Sequence, residues 1–266
     1  MLRNLSKGFS GIILLTMILA ASGCARVPSS SKDPIYLLDM GNYYYARKNY
    51  MESEKMYQRV LNEFPDSPYR ADALMGLADS LFCQEDYDRA ALSYTDFYNL
   101  YPTHPNVVNA YFYKGMSSFN ERKTFDRDQA NTIKAIEDFE NITKSERFQQ
   151  SIFYEEASKN IKESKRLLAL NIFHIGKYYF KTGSYASTIT RMEQLIREYP
   201  NEPYQDEAVF LIAESYFLKD SYSLSEGHYR QLLSDYPNSP FVAVAKERMT
   251  EIEGRKNRLI SKGKNG

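Results

Sequence analysis

The stretch "YPTHPNVVNAY", from Tyr101 to Tyr111, decides the fold. Its skeleton is aromatic-Pro-x-x-Pro. The same skeleton returns as "FPDSPYRADAL" from Phe64, "YPNEPYQDEAV" from Tyr199 and "YPNSPFVAVAK" from Tyr236, and these four copies hold eight of the ten prolines. A proline removes a backbone donor and clashes with the preceding turn, and it pushes the residue before it out of the helical region. Pro65, Pro102, Pro200 and Pro237 therefore read as helix stops. Pro68, Pro105, Pro203 and Pro240 read as first-turn residues of the helices that follow, with Ser67, Ser239 and His104 in N-cap positions before them. Each cassette is a helix–turn–helix joint, and a recurring joint implies a recurring unit.

The period is 37 residues, from Pro65 to Pro102 and from Pro200 to Pro237. Tyr50 and Tyr87 keep it, as do Tyr185 and Tyr222, each opening a helix after a short polar turn. A third landmark is a small residue: Gly41, Ala78 and Gly115, then Gly176 and Ala213. Small side chains let two helix backbones approach closely. Twelve positions on lie Ser53, Ala90, Thr188 and Ser225, and the proline follows twelve later. The pattern resembles the tetratricopeptide (TPR) repeat, a helix pair of 34 residues, here lengthened by the x-x-Pro joint.

The middle of the chain breaks step. Pro102 and Pro200 are 98 residues apart, which is two periods plus 24. Eight extra residues fall near "ERKTFDRD", between the helices of the third repeat, and sixteen lengthen the start of the next helix. Phe148 to Lys181 contains no proline and reads as one long helix. The expected fold is an all-α solenoid of five TPR-like helix pairs over residues 34–260. Its repeats are 34–66, 67–103, 104–147, 148–201 and 202–238. The segment 239–260 is a capping helix with an apolar stripe of Phe241, Ala245, Met249 and Ile252.

The two ends lie outside that core. Arg3 and Lys7 precede "GIILLTMILAA", about half the ~20 apolar residues that span a bilayer. This reads as a signal peptide over residues 1–23. It ends in "AASGC", which resembles a bacterial lipobox, with Ala21 where Leu is commonest. Cys24 is then the lipidated first residue of the mature chain, and 24–33 is a tether of at most ~30 Å. By the lipoprotein sorting rule, Ala25 sends the protein to the outer membrane. With Cys24 acylated, Cys83 has no disulfide partner. The tail "GRKNRLISKGKNG" holds five basic residues, and 261–266 is expected to be disordered.

The chain carries no catalytic constellation. Lys+Arg and Asp+Glu both number 34, so the net charge is zero, and no nucleic-acid module is recognisable. His104, His174 and His228 lack partners at metal-ligand spacing. No phosphate loop or nucleophile elbow occurs. The expectation is a binding protein, not an enzyme, with no cofactor beyond the lipid on Cys24. An envelope enzyme bearing TPR repeats would need a separate catalytic domain, for which the repeats leave no room.

The register also marks a binding surface. Four residues past the small landmark lie Tyr45, Phe82, Phe119, Phe180 and Phe217, and three before it lie Leu38, Met75, Phe112, Phe173 and Phe210. The two sets share one face of each first helix. Exposed in the concave groove, they would form an aromatic ladder for an extended segment. Packed between neighbouring first helices, they would be core.

The lipobox, the five repeats, "NLYPTHPNVVNAYFYKGM", "DRDQA" in the insertion and "TRMEQLIREYP" together resemble the BamD (YfiO/ComL) family of outer-membrane protein assembly lipoproteins, from Cys24 to about Pro240. The resemblance implies a scaffold on the periplasmic face of the outer membrane. It would bind the POTRA domains of the barrel protein BamA through its late repeats, and unfolded outer-membrane proteins through its early ones, beside other assembly lipoproteins. It also implies that Arg191, in "TRMEQLIREYP", makes a charged POTRA contact. The alternative is a periplasmic TPR adaptor of the CpoB kind, coordinating constriction or wall synthesis, against which the lipobox and short tether argue.

Overall fold

The computed structural model describes residues 33–263, with side chains to residue 258. The expected signal peptide and lipidation site, and the expected tether up to residue 32, lie outside the described residues. Within them, the x-x-Pro spacing resolves into two β-turns that share a residue. Ser67 N donates to Phe64 O and Arg70 N to Ser67 O, both at 3.1 Å; His104 N donates to Tyr101 O and Val107 N to His104 O, both at 3.0 Å. Tyr236, Ser239 and Val242 repeat the arrangement. Each turn has proline at its second position, where the ring pre-sets φ. The residue before the first proline leaves the helix, with φ −133° at Phe64 and −129° at Tyr101.

This corrects the reading of the second prolines. They lie in the entry turn, and the helices start two residues later, at Arg70, Val107, Gln205 and Val242. Ser67, His104 and Ser239 accordingly cap that turn. Their side chains accept from the backbone N–H two residues on, at 3.2, 3.1 and 3.3 Å.

The chain forms eleven helices among its described residues: α1 (Pro34–Ala46), α2 (Tyr50–Glu63), α3 (Arg70–Cys83), α4 (Tyr87–Leu100), α5 (Val107–Asn120), α6 (Ala130–Thr143), α7 (Tyr154–Lys181), α8 (Tyr185–Glu198), α9 (Gln205–Leu218), α10 (Tyr222–Asp235) and α11 (Val242–Gly263). They pack in sequence order as an all-α solenoid of helix pairs. The hairpin inside each regular pair turns through a left-handed residue, Lys48, Glu85, Gly183 or Asp220. The N–H groups there return to the last carbonyls of the first helix, as in Lys48 N to Tyr45 O and Asn49 N to Tyr44 O. That closes the helix C-terminus in a Schellman-type cap.

The small landmarks sit where the second helix inserts a ring. Tyr57 of α2 lies between α1 and α3, and a Cβ added to Gly41 would be 2.6 Å from its ring; one added to Gly76 would also strike it. Gly115 faces Phe139 in the same way, and Gly176 faces the end of Met192. Ala78 and Ala213 are fully buried. The residue twelve positions on closes the contact: Ser53 donates to Gly41 O and Ser225 to Ala213 O, both at 2.9 Å.

The irregular middle differs in one respect from the expectation. The long helix begins at Tyr154, six residues after Phe148, because Phe148 closes a 3-10 turn from Glu146 and two further turns follow it. Phe148 O accepts from Ser151 N, Ser151 O from Tyr154 N, and Ser151 Oγ from Phe153 N. This is the double-turn joint again, built without proline. The 24 extra residues divide between a nine-residue loop at 121–129, a ten-residue joint at 144–153 and the 28 residues of α7, where regular units have three, six and 14. Fourteen added residues make nearly four turns at 3.6 per turn, so α7 keeps one apolar face along its length. Ala157 and Ile161 pack with Phe139, and Ala169, Ile172 and Phe173 pack with Met192 and Leu195.

The cap α11 packs Ala245 and Ile252 against α9 and α10, with Phe241 and Met249 beside them. Its backbone stays helical through Gly263, into the segment expected to be disordered.

Because the Tyr57 ring is held by backbone on two sides and Met192 ends in a rotatable methyl, the two glycines should differ. Gly41→Ala is expected to cost about 1–3 kcal/mol, the usual range for overpacking, and Gly176→Ala distinctly less. Thermal melts of the two variants check this; equal losses would show that the Tyr57 ring is free to move.

Candidate partner-binding site

The first helices of successive pairs touch one another, α1 to α3, α3 to α5, α5 to α7 and α7 to α9, and so form the inner row of the solenoid. At its N-terminal end a cavity of about 340 Å³ opens between α1 and α3 and the start of α5. Leu38, Asn42 and Tyr45 of α1 and Met75 and Asp79 of α3 line it, with Asn106 from the joint. These positions are three and four apart on each helix, so they share one face.

The cavity holds one copy of a hydrogen bond that recurs along the solenoid. Tyr57 donates to Asn42 and Tyr94 to Asp79, both at 2.7 Å, and Tyr229 donates to Glu214. Acceptor and donor are fifteen residues apart each time, and the acceptor directly follows the small landmark. Burial, reinforced by the neighbouring carboxylate, pushes the Tyr94 and Tyr229 hydroxyls up, so they remain protonated donors. The sequence reading missed this pair, although Tyr57 and Tyr94 keep the 37-residue period.

The aromatic ladder is not an open one. Phe112, Phe119 and Phe217 are each 7% exposed, and Phe173 is 4% exposed. Tyr45, Phe82, Phe180 and Phe217 each set the ring edge against the Tyr that opens the second helix, with centroids 5.3–5.8 Å apart. Edge-to-face packing of this kind staples the hairpin. Phe112 stacks on Phe153 at 4.6 Å. Phe119 lacks such a tyrosine, and Arg122 covers it at 3.5 Å. Tyr45, with Leu38 and Met75, reaches the open cavity; Phe82 and Phe180 are half-buried.

Arg191 lies on α8 beside Gly176, half-buried, and donates to Gln194 Oε1 at 2.9 Å. It has no carboxylate within ion-pair distance among the described residues. Cys83, the one cysteine among them, is unoxidised and half-buried, 3.5 Å from the Tyr45 hydroxyl.

The "DRDQA" segment shapes the 121–129 loop. Asp128 accepts from Ala130 N at the start of α6, and buried Gln129 donates to Thr124 O and Arg127 O at 2.9 and 2.8 Å. Asn171 of α7 holds Phe125 O, and the Phe125 ring stacks on His174 at 4.3 Å. The loop is thereby fixed to the long helix. No three His, Cys, Asp or Glu side chains converge on a metal position among the described residues.

The family model described as "YfiO: Outer membrane lipoprotein" matches residues 31–226, from the start of α1 into α10. The chain belongs to this family. Similar curated relatives include the outer membrane protein assembly factor BamD of Xylella fastidiosa, 26% identical over 219 residues, covering 76% of this chain and 74% of the relative. The BamD of Neisseria gonorrhoeae is 27% identical over 217 residues, covering 74% and 80%. That of Rickettsia prowazekii is 23% identical, covering 78% and 82%.

Asp79 makes the cavity sensitive to pH. Burial pushes its carboxyl up to about 6, and the Tyr94 hydrogen bond offsets part of that. Folding therefore favours the neutral acid. Its contribution is fully present below the ordinary carboxylate value and is lost as pH rises through about 6. Asparagine already fills the equivalent place at Asn42 and accepts the same tyrosine bond. Asp79→Asn is expected to match wild type near pH 4 and to exceed it by about 2 kcal/mol above pH 7. Denaturant melts across that range check the sign.

Proposed function

We propose that the chain is a non-catalytic scaffold lipoprotein of the machinery that assembles outer-membrane β-barrels, anchored to the periplasmic face of the outer membrane by lipid on Cys24. The observation that carries this reading is the family match across residues 31–226, which takes in the helix pairs that build the inner row. The relatives' shared description as assembly factors gives the process. In this reading the late repeats hold the POTRA domains of BamA, with Arg191 among the contacts, and the early repeats receive unfolded barrel proteins at the inner-face cavity. The fold suits such work because a helical solenoid offers an extended surface without a closed active site.

No described helix is long and apolar enough to cross a membrane, and in this reading the lipid supplies the attachment. Acyl methylenes add about 0.8 kcal/mol each on burial, and more than one chain is needed for stable attachment. Affinity purification of the membrane-extracted protein tests the reading directly: a POTRA-bearing barrel protein should come with it. Its absence would sink the assembly role.

Two substitutions separate anchor from partner. Cys24→Ser should release the chain into the soluble periplasmic fraction with an unchanged melting temperature, scored by fractionation in cells lacking BamA. Arg191→Glu should stay in the membrane and lose co-purifying BamA, because losing one partner of a buried, hydrogen-bonded charge pair typically costs ~2–5 kcal/mol. Undiminished BamA recovery with Arg191→Glu would remove that residue from the interface.

A further inference from the structure

The two insertions that break the repeat meet each other. Between the 121–129 loop and the added half of α7 lies a cavity of about 890 Å³, the size range of true ligand sites. Regular repeats have neither wall. Insertions in repeat proteins commonly gather on the binding face.

Its lining is strongly basic. Arg122 and Lys123 come from the loop, and Lys159, Lys162 and Arg166 from α7, against the single carboxylate of Glu163. Lys123, Lys162 and Arg166 have no carboxylate within 4 Å among the described residues, although the chain as a whole is neutral. Lys159 stands 3.7 Å from Glu156 with most of its side chain in water, a pairing worth little. Lys159, Lys162 and Arg166 follow one helix face at spacings of three and four, spreading their charges over roughly 10 Å at 1.5 Å per residue. The cavity is not uniformly polar, for Leu167, Leu170 and Tyr204 also line it.

We propose that this cavity binds an acidic polypeptide segment that carries apolar side chains between its carboxylates. Three features select that occupant. The three cations of α7 are strung along one helix face, so they match carboxylates spaced along a chain better than one phosphate group. The apolar lining matches side chains between those carboxylates. Glu163 already models the contact, accepting from Arg122 Nη2 at 2.5 Å while Arg122 lies flat on Phe119. A ligand carboxylate would take the place of Glu163 on an arginine that is held in position. This site is independent of Arg191 and of the assembly role, and it stands if either fails.

The test uses the full chain in detergent and fluorescein-labelled peptides of about ten residues, long enough when extended to span the cation row. A peptide alternating Glu with Leu should bind, with affinity falling as salt rises. Glu alternating with Ser should bind more weakly, and Lys alternating with Leu should not bind. Reversing Lys162 and Arg166 together (K162E/R166E) should weaken the Glu–Leu peptide by about tenfold or more, because it sets like charges against the peptide's carboxylates. Both residues are exposed and unpaired, so folding should survive, as circular dichroism will show. Glu163→Gln should tighten binding severalfold, because it removes the internal competitor; a purely structural Glu163 would not give that sign. Equal binding by wild type and K162E/R166E, or no binding by wild type, overturns the proposal. So does tighter binding of soluble short-chain phosphatidylglycerol or inorganic phosphate than of the peptide, lost in the same variant, which would assign the cavity to a headgroup or a free anion.

Discussion

The solenoid depends on one recurring contact, a large side chain of the second helix, an aromatic ring or in α8 Met192, pressed against a point on the first helix that has little or no side chain. At Tyr57 that point is doubled, because Gly41 and Gly76 present bare backbone from α1 and α3 to the same ring. A fully buried aromatic of this size contributes roughly 1.5–3 kcal/mol, and it does so at the junction of three helices. The contact also settles the polar accounting. A buried hydroxyl must find an acceptor, and Asn42, Asp79 and Glu214 supply one at the next position along the first helix. Ring, bare backbone and acceptor thus form one unit, and the 37-residue period is the distance between successive units.

The regular parts of this design were legible because each joint uses chemistry with few alternatives. Proline at the second position of a turn, a small residue at a close approach and tyrosine at a helix start are local signals, and all of them keep step. Helix starts at Tyr50, Tyr87, Tyr185 and Tyr222 fell where the sequence put them. The second prolines were misplaced by two residues because a first-turn proline and a turn proline look alike without the hydrogen bonds. The joint at 148–153 was missed altogether because its prolines are replaced by Gln149 and Ile152. What persists there is an aromatic, then Ser151, then Phe153, the same frame as Phe64, Ser67 and Tyr69. The side-chain cap, not the ring, is the shared element of those joints.

The candidate site was less legible, for a different reason. Spacing placed the aromatic residues correctly on one face, but exposure depends on what stands opposite. The tyrosine that opens α2, α4, α8 and α10 occupies that space, so rings that could have lined a groove staple hairpins instead. In the inner row the positions that still reach open space are Asn42, Asp79 and the unstapled side of Tyr45, near the N-terminal end. The basic cavity was invisible for want of proximity, since Arg122 and Arg166 are 44 residues apart in sequence and only the folded loop joins them.

These two surfaces differ in how evolution could alter them. The inner-face cavity is made from the repeating unit itself, so removing the Tyr57 ring, or the hydrogen-bond acceptor at position 79, disturbs the contact that holds neighbouring helices together. The basic cavity is made from residues the repeat does not need. The loop at 121–129 is secured through backbone carbonyls at Thr124, Phe125 and Arg127, which leaves its Lys123 side chain unconstrained. The face of α7 opposite its buried stripe carries Lys159, Lys162 and Arg166 into water without any packing role. Charge can therefore change there at almost no cost to the fold. A solenoid built on a strict period concentrates its adaptable chemistry where the period is broken, and in this chain both breaks open onto one cavity.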